Sequence, residues 1–285
     1  MTDIFKRALT EENFDRLSEL ITSRCGIKMP KVKKLMLEGR LRKRLRALGI
    51  DCFEKYCDYL FSEDGMENEL VHMIDVVTTN KTEFFREPDH FDFLSREALP
   101  ELVDREGAGI RKQLTVWSAG CATGEEPYTI AMVINEFAEY YNDSSFDYVV
   151  LATDISTKVL DTAKMGIYRE DKVQPVKEEL KKKYIMRGKG GQEGFSRVVP
   201  ELRGRLRFRR LNFMESDFGF REPIDIVFCR NVIIYFDKQT QEQILGRIIY
   251  HLRRGGYLFI GHAETLSYLN MPIVQVAPSV YKKVM

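Results

Sequence analysis

The sequence predicts a helical N-terminal domain followed by an α/β domain on an open, mostly parallel sheet. Three observations carry this reading. Apolar residues recur at helical spacing as far as about residue 77. Beyond residue 80, short apolar runs alternate with amphipathic segments. A small-residue turn, Gly120-Cys-Ala-Thr-Gly124, joins one such run to a segment opened by Glu125 and Glu126.

The first helix is expected over LTEENFDRLSELITSRCG, where Phe14, Leu17, Leu20 and Ile21 share a face, Thr10 is the N-cap and Gly26 the stop. The second runs through KKLMLEGRLRKRLRALG. Leu37, Leu41, Leu45 and Leu48 form its apolar stripe, Gly49 its C-cap, and Arg40, Arg42, Lys43, Arg44 and Arg46 fan over the remaining surface. Within the helix only Glu38 offers a partner, to Arg42 at i+4. So one-sided a charge run suggests a docking face for something acidic: an anionic helix, a nucleic acid or a lipid headgroup. Two further helices are expected near 52–62 and 66–77.

QLTVWSAG then reads as a buried strand and EEPYTIAMVINEFAEYY as a helix with Pro127 in its first turn. DYVVLATDIS is a second strand, followed by the helix TKVLDTAKMG. RLRFRRLNF and IDIVFCRNVIIYF are the third and fourth strands. The helix KQTQEQILGRIIYHLRRGG follows, and YLFIGH and VQVAPSVYKKV close the chain as strands. Ligands of such sheets bind beyond the C-terminal strand ends, where the strand order switches.

Composition excludes several classes. The 285 residues suffice for a sizeable core, and a net charge of +1 leaves only local basic patches for polyanions. No apolar stretch is long enough to span a membrane, and the N-terminus lacks a signal-peptide pattern. Cys25, Cys52, Cys57, Cys121 and Cys229 form no CxxC pair and do not cluster with the histidines. No metal site or disulfide framework is expected, and a reducing cytoplasm fits best.

The turn at 120–124 lacks the glycine spacing of a phosphate loop, and two carboxylates would repel a pyrophosphate. They suit a cationic ligand carrying an amine and no phosphate, and S-adenosylmethionine has that chemistry. Asp154 closes the second strand where a dinucleotide fold keeps its ribose-binding acid.

The segments TTNKTEFFRE, WSAGCATGEEPY, ATDIS, LNFME and FCRNVIIYFD, in this order, resemble the chemotaxis receptor methyltransferases, the CheR family, along almost the whole chain. The resemblance implies S-adenosylmethionine-dependent esterification of glutamates on methyl-accepting chemotaxis receptors, with S-adenosylhomocysteine as product. It implies a helical domain over 1–78, a Rossmann-like methyltransferase domain over 79–285, and an inserted β-subdomain at about 182–208. By motif position, Asn80, Thr82, Arg86, Glu126, Asp154, Asn212, Phe213, Arg230 and Asn231 should line the cofactor site. A cytoplasmic enzyme, recruited to receptor arrays at the membrane without inserting into it, is the implied setting. Nothing in the sequence demands more than a monomer.

The residues agree with that chemistry. A substrate glutamate, with a pKa of about 4.3, is already an anion at pH 7, so methyl transfer needs no general base. A clamp for the acceptor carboxylate is needed instead, and Arg86 and Tyr235 are the candidates. Asn231-Val-Ile-Ile-Tyr235 lacks the prolines of the [DN]-P-P-[YFW] motif of base-amine methylases, which argues against nucleic acid. Gly188, Gly190, Gly191 and Gly194 lie between two short β-like runs and predict a hairpin with a glycine-rich tip. The pattern is similar to family members that grip the receptor's C-terminal tail. Arg40, Arg42, Lys43 and Arg46, with these glycines, are the expected receptor contacts. A methyltransferase for another acceptor and a non-catalytic cofactor binder remain alternatives, the intact cofactor motifs arguing against the second.

Overall fold

Thr10 opens the helical part: its Oγ1 accepts from the Asn13 N–H at 3.2 Å, starting α1 (Glu11–Cys25), which Gly26 ends at φ +71°. The structure, a computed structural model, describes residues 8–141 and 146–284. After a 3₁₀ turn, α2 (Lys34–Leu48) buries Leu37, Leu41 and Leu45 and stops at Gly49, again left-handed. Leu48, expected in the same stripe, is exposed. It is the last residue of the helix, past the packing that covers the others. α3 (Phe53–Leu60) follows, and the helix expected near 66–77 is two, α4 (Glu63–Asn68) and α5 (Leu70–Val77). Ser62 caps α4 through the Gly65 N–H at 3.1 Å.

Tertiary folding supplies the partner that the basic helix lacks in sequence. Arg44 Nε and Nη2 donate to the two oxygens of buried Glu69 at 2.8 and 2.6 Å, and the Tyr56 hydroxyl donates to the same carboxylate at 3.0 Å. Arg42 meets Glu38 at 2.5 Å, as its i+4 spacing implied.

α6 (Asp89–Phe93) and α7 (Leu99–Glu106), joined by a π-helical turn, lead into β1 (Leu114–Ala119). Then come α8 (Glu125–Tyr140), β2 (Tyr148–Asp154) and α9 (Thr157–Met165). An insert carries β3 (Ile167–Arg169), α10 (Glu178–Tyr184), β4 (Ile185–Arg187), β5 (Phe195–Val198) and α11 (Pro200–Gly204). The chain returns through β6 (Leu206–Arg210), β7 (Ile224–Cys229), α12 (Lys238–His251), β8 (Leu252–Ile260), β9 (Ile273–Ala277) and β10 (Val280–Lys283).

The main sheet has the order β6-β2-β1-β7-β8-β10-β9, with the last two strands antiparallel. Alternation along the strands builds two cores. Val116, Val150 and Phe228 pack with α7 and α8 on one face, and Trp117, Val227 and Cys229 pack with α12 on the other. The N-terminal helices keep a third core around Phe14, Leu41, Tyr56 and Met73.

Three boundaries depart from the sequence reading. The fourth strand ends at Cys229, because Asn231 turns left-handed at φ +58° and Ile233–Tyr235 forms a 3₁₀ turn. The helix expected to reach Gly256 stops at His251, since residues from Leu252 onward belong to β8. The small sheet, ordered β3-β5-β4, already starts at Ile167, before the expected 182, and β6 near 208 pairs with β2 in the main sheet. A three-residue strand such as β3 carries too little alternation to be seen in sequence. The glycine-rich hairpin is present: β4 and β5 pair antiparallel around a turn at Gly190–Gln192. Among the described residues, no helix is long and apolar enough to cross a membrane.

Candidate functional site

The strand order reverses between β1 and β7, and a cavity of about 320 Å³ opens there at the C-terminal strand ends. That volume lies in the usual small-ligand range of roughly 300–1,000 Å³. Asn80, Thr82, Arg86, Glu126, Asp154, Asn212, Phe213, Arg230, Asn231 and Tyr235 all line it. The residues expected from motif position are thus gathered in one place, from segments spread over more than half the chain.

The 120–124 turn explains why phosphate is unwelcome. A phosphate cradle needs free backbone N–H groups. Here the N–H groups of Gly120 and Cys121 both donate to the Thr153 carbonyl, at 2.8 and 2.9 Å. Ala122 N–H donates to Asp154 Oδ2 at 2.9 Å, and Gly124 N–H to the Cys121 carbonyl at 3.0 Å. Gly120, at φ +84°, has no room for a side chain, because a Cβ would come within 2.6 Å of Val232.

Asp154 is buried at the end of β2, and its second oxygen accepts from the Ser156 N–H at 2.9 Å. Burial pushes its carboxyl up, and the backbone N–H groups pull the other way without cancelling this. Each oxygen keeps a lone pair for a ligand hydroxyl.

The two glutamates part company. Glu125 is buried, takes the Thr123 hydroxyl at 2.6 Å and does not line the cavity. Glu126 does line it, held by the Ser118 hydroxyl at 2.7 Å and by Arg230 Nη1 at 3.2 Å. Burial raises its carboxyl above the ordinary range despite Arg230. A buried carboxylate incompletely neutralised by its own protein suits a cationic ligand. The donor set therefore fits a sulfonium cofactor with ribose hydroxyls.

Arg86 pairs with neither Glu87 nor Asp89. Its guanidinium donates to the Lys81 carbonyl at 3.1 Å, while Glu87 is held by Arg230. Tyr235 lies in the 3₁₀ turn after β7, with its carbonyl accepting from Lys28 N–H at 2.9 Å. Ala122 and Asn231, which line the cavity, and Phe85 and Glu87, which flank Arg86, all have φ between +47° and +58°, a strained region for non-glycine residues.

Sequence reasoning missed one wall altogether. Cys25, Met29, Lys33 and Met36 of the helical domain also line the cavity. Asn212 Nδ2 donates to the Arg24 carbonyl at 2.6 Å, tying the two domains together. Arg40, expected among the outward receptor contacts, turns inward to the 77–79 segment, donating to the Thr78 carbonyl at 3.1 Å. Lys43 and Arg46 do lie on the exposed side of α2. Gly190, Gly191 and Gly194 face open space, whereas Gly188 is hemmed in by the Gln192 carbonyl.

The family model described as CheR methyltransferase, SAM binding domain, matches residues 80–280, and that described as CheR methyltransferase, all-alpha domain, matches residues 12–78. A chemotaxis protein methyltransferase of Borreliella burgdorferi is 38% identical over 275 residues, covering 96% of this chain and 95% of its own. One of Salmonella typhimurium is 40% identical over 262 residues, covering 92% and 86%. One of Escherichia coli is 39% identical over 274 residues, covering 96% and 91%.

Proposed function

The chain belongs to the CheR methyltransferase family, an S-adenosylmethionine-dependent protein-glutamate O-methyltransferase of chemotaxis receptors, and we propose how its residues divide that work. The observation that carries the proposal is the pairing of Asp154 and Glu126 in one cavity whose turn has the N–H groups of Gly120, Cys121, Ala122 and Gly124 already spent.

When bound, S-adenosylmethionine supplies an electrophilic methyl group on a sulfonium. Asp154 accepts from the ribose hydroxyls, and Glu126 faces the cationic end. Asn80, Thr82, Asn212, Phe213, Arg230 and Asn231 shape the rest of the cofactor site. Arg86 and Tyr235 orient the acceptor carboxylate, which arrives as an anion and needs no base. Alignment of two bound groups can supply about 7–11 kcal/mol of the barrier. The reading is of a monomeric enzyme.

Two surfaces serve the receptor in this reading. The exposed side of α2 carries Leu35, Lys43 and Arg46, with Arg42 half-buried beside them and exposed Val32 in the 3₁₀ turn that precedes it. It reads the acidic helical bundle. The outer strand β4 of the small sheet offers an edge to a tail peptide, and Gly190, Gly191 and Gly194 keep the adjoining tip open. Recruitment to receptor arrays follows from these contacts. The test is incubation with methyl-labelled cofactor and receptor-enriched membranes. Base-labile label on a membrane protein is the expected result. Label on nucleic acid, or binding without transfer, overturns it.

A further inference from the structure

Arg230 is shared unequally between two carboxylates. Its Nη2 and Nε lie 3.0 and 3.3 Å from Glu87 Oε2, whereas Glu126 receives the single contact from Nη1 at 3.2 Å. The guanidinium is enclosed, 1% exposed, and lies over the Phe91 ring at 5.3 Å. Nη2 also donates to the Arg86 carbonyl. Glu87 collects two more donors on Oε1, from Asn231 Nδ2 at 3.4 Å and the His262 N–H at 3.3 Å.

The two carboxyls respond in opposite directions. Burial pushes Glu87 up, yet Arg230, the His262 N–H and Asn231 together outweigh it and leave the group below the ordinary range. Burial pushes Glu126 up as well, and there Arg230 does not prevail. Glu126 lines the cavity and Glu87 does not. Arg86 also acts on Glu126, but its guanidinium donates to the Lys81 carbonyl. Glu87, His90 and His262 bring ligand atoms within 4.8 Å of one another. A metal ion there would have to displace the donors already on both Glu87 oxygens and sit against the guanidinium, so the arrangement favours Arg230 as the resident cation.

One guanidinium cannot neutralise two carboxylates, and its geometry assigns it mainly to Glu87. We propose that Glu87 is a positioning residue that draws Arg230 away from Glu126 and so keeps an uncompensated negative charge at the cationic end of the cofactor. The proposal rests on the reading of the cavity as the S-adenosylmethionine site. Without the Glu87 charge, Arg230 turns to Glu126 and cancels it. A ligand carrying the sulfonium then loses more than the thioether product, which has one positive charge fewer.

The test is calorimetry with S-adenosylmethionine and S-adenosylhomocysteine on the full chain. Glu87→Gln should lower the ratio of the two affinities roughly ten-fold. Glu87→Asp keeps the charge and should keep the wild-type ratio, even if both affinities fall. Equal losses for both ligands in Glu87→Gln mark a merely structural residue and overturn the proposal. Should Glu87→Gln not fold, Glu87→Ser is measured in its place: a lowered ratio supports the proposal and a wild-type ratio overturns it. Failure of the wild-type chain to bind either ligand overturns the reading of the cavity itself, and is thereby distinct from equal loss.

Discussion

Arg40 and Thr79 bind the helical domain to the wall of the cavity: the guanidinium Nη2 lies 2.8 Å from the threonine hydroxyl. The same side chain reaches the carbonyls of Val77 and Thr78. Burial depresses the Arg40 pKa, and Tyr235 is the group that acts to raise it. The basic helix therefore turns one side to the 77–79 segment and another to solvent. Arg40→Ala should loosen the 77–79 segment and weaken S-adenosylhomocysteine binding several-fold, by about 1 kcal/mol for lost hydrogen bonds. Lys43→Glu with Arg46→Glu should leave that affinity alone and raise the KM for receptor, most at low salt. Calorimetry and receptor-methylation kinetics separate the two. Charge reversal without effect on KM would reduce this face to solvated surface.

Asp154 holds the turn through the Ala122 N–H and is the proposed ribose acceptor. Asp154→Ala removes the proposed ribose acceptor and frees the Ala122 N–H, whose residue sits at φ +47°. The cost to S-adenosylhomocysteine affinity should be on the order of 1–3 kcal/mol. Glu126→Gln should also weaken binding, since it removes charge from the cationic end. Unchanged affinity in both variants would remove these carboxylates from the cofactor site.

Arg86→Ala should reduce turnover more than cofactor affinity, and Tyr235→Phe should do the same more mildly because the ring remains. Single-turnover kinetics beside calorimetry is the measurement. A parallel loss of binding and turnover in Arg86→Ala would make it a cofactor ligand instead of an acceptor clamp.

His90 predicts a pH dependence of stability. It is 1% exposed with neither ring nitrogen hydrogen-bonded, and stacks edge-on against Phe259. Burial, helped by Arg230, lowers its pKa from 6.5 to about 4. The unfolded chain thus takes up this proton near pH 6.5 while the fold refuses it until about 4. Stability from this group is complete above 6.5 and lost as the pH falls towards 4, by up to about 3 kcal/mol. His90→Phe should flatten the denaturant-derived stability profile across that interval. An unaltered slope would mean His90 is not the group responsible.

The glycine-rich tip predicts receptor selectivity. Removing Gly190–Glu193 shortens an exposed turn without touching the main sheet, so the melting temperature should hold within a few degrees. Methylation should fall only for receptors with a matching tail, since tethering acts through local concentration. Equal loss on tailless receptors would assign the hairpin another role.

Local signals in the sequence were strong where a few adjacent residues settle the matter. Thr10 and Gly26 bound α1 because capping is decided within one turn, and Leu37, Leu41 and Leu45 mark a buried face because helical period alone brings them together. Asp154 and the 120–124 turn were legible because a strand end followed by small residues has few uses in an α/β sheet. Tertiary structure decided whatever depends on residues far apart in the chain. Glu69 neutralises Arg44 across 25 positions, Arg24 meets Asn212 across 188, and Glu87 competes with Glu126 for Arg230 across 143 and 104. No periodicity or spacing records such meetings, because they exist only once the sheet has brought the strand ends together and the helical domain has closed over them.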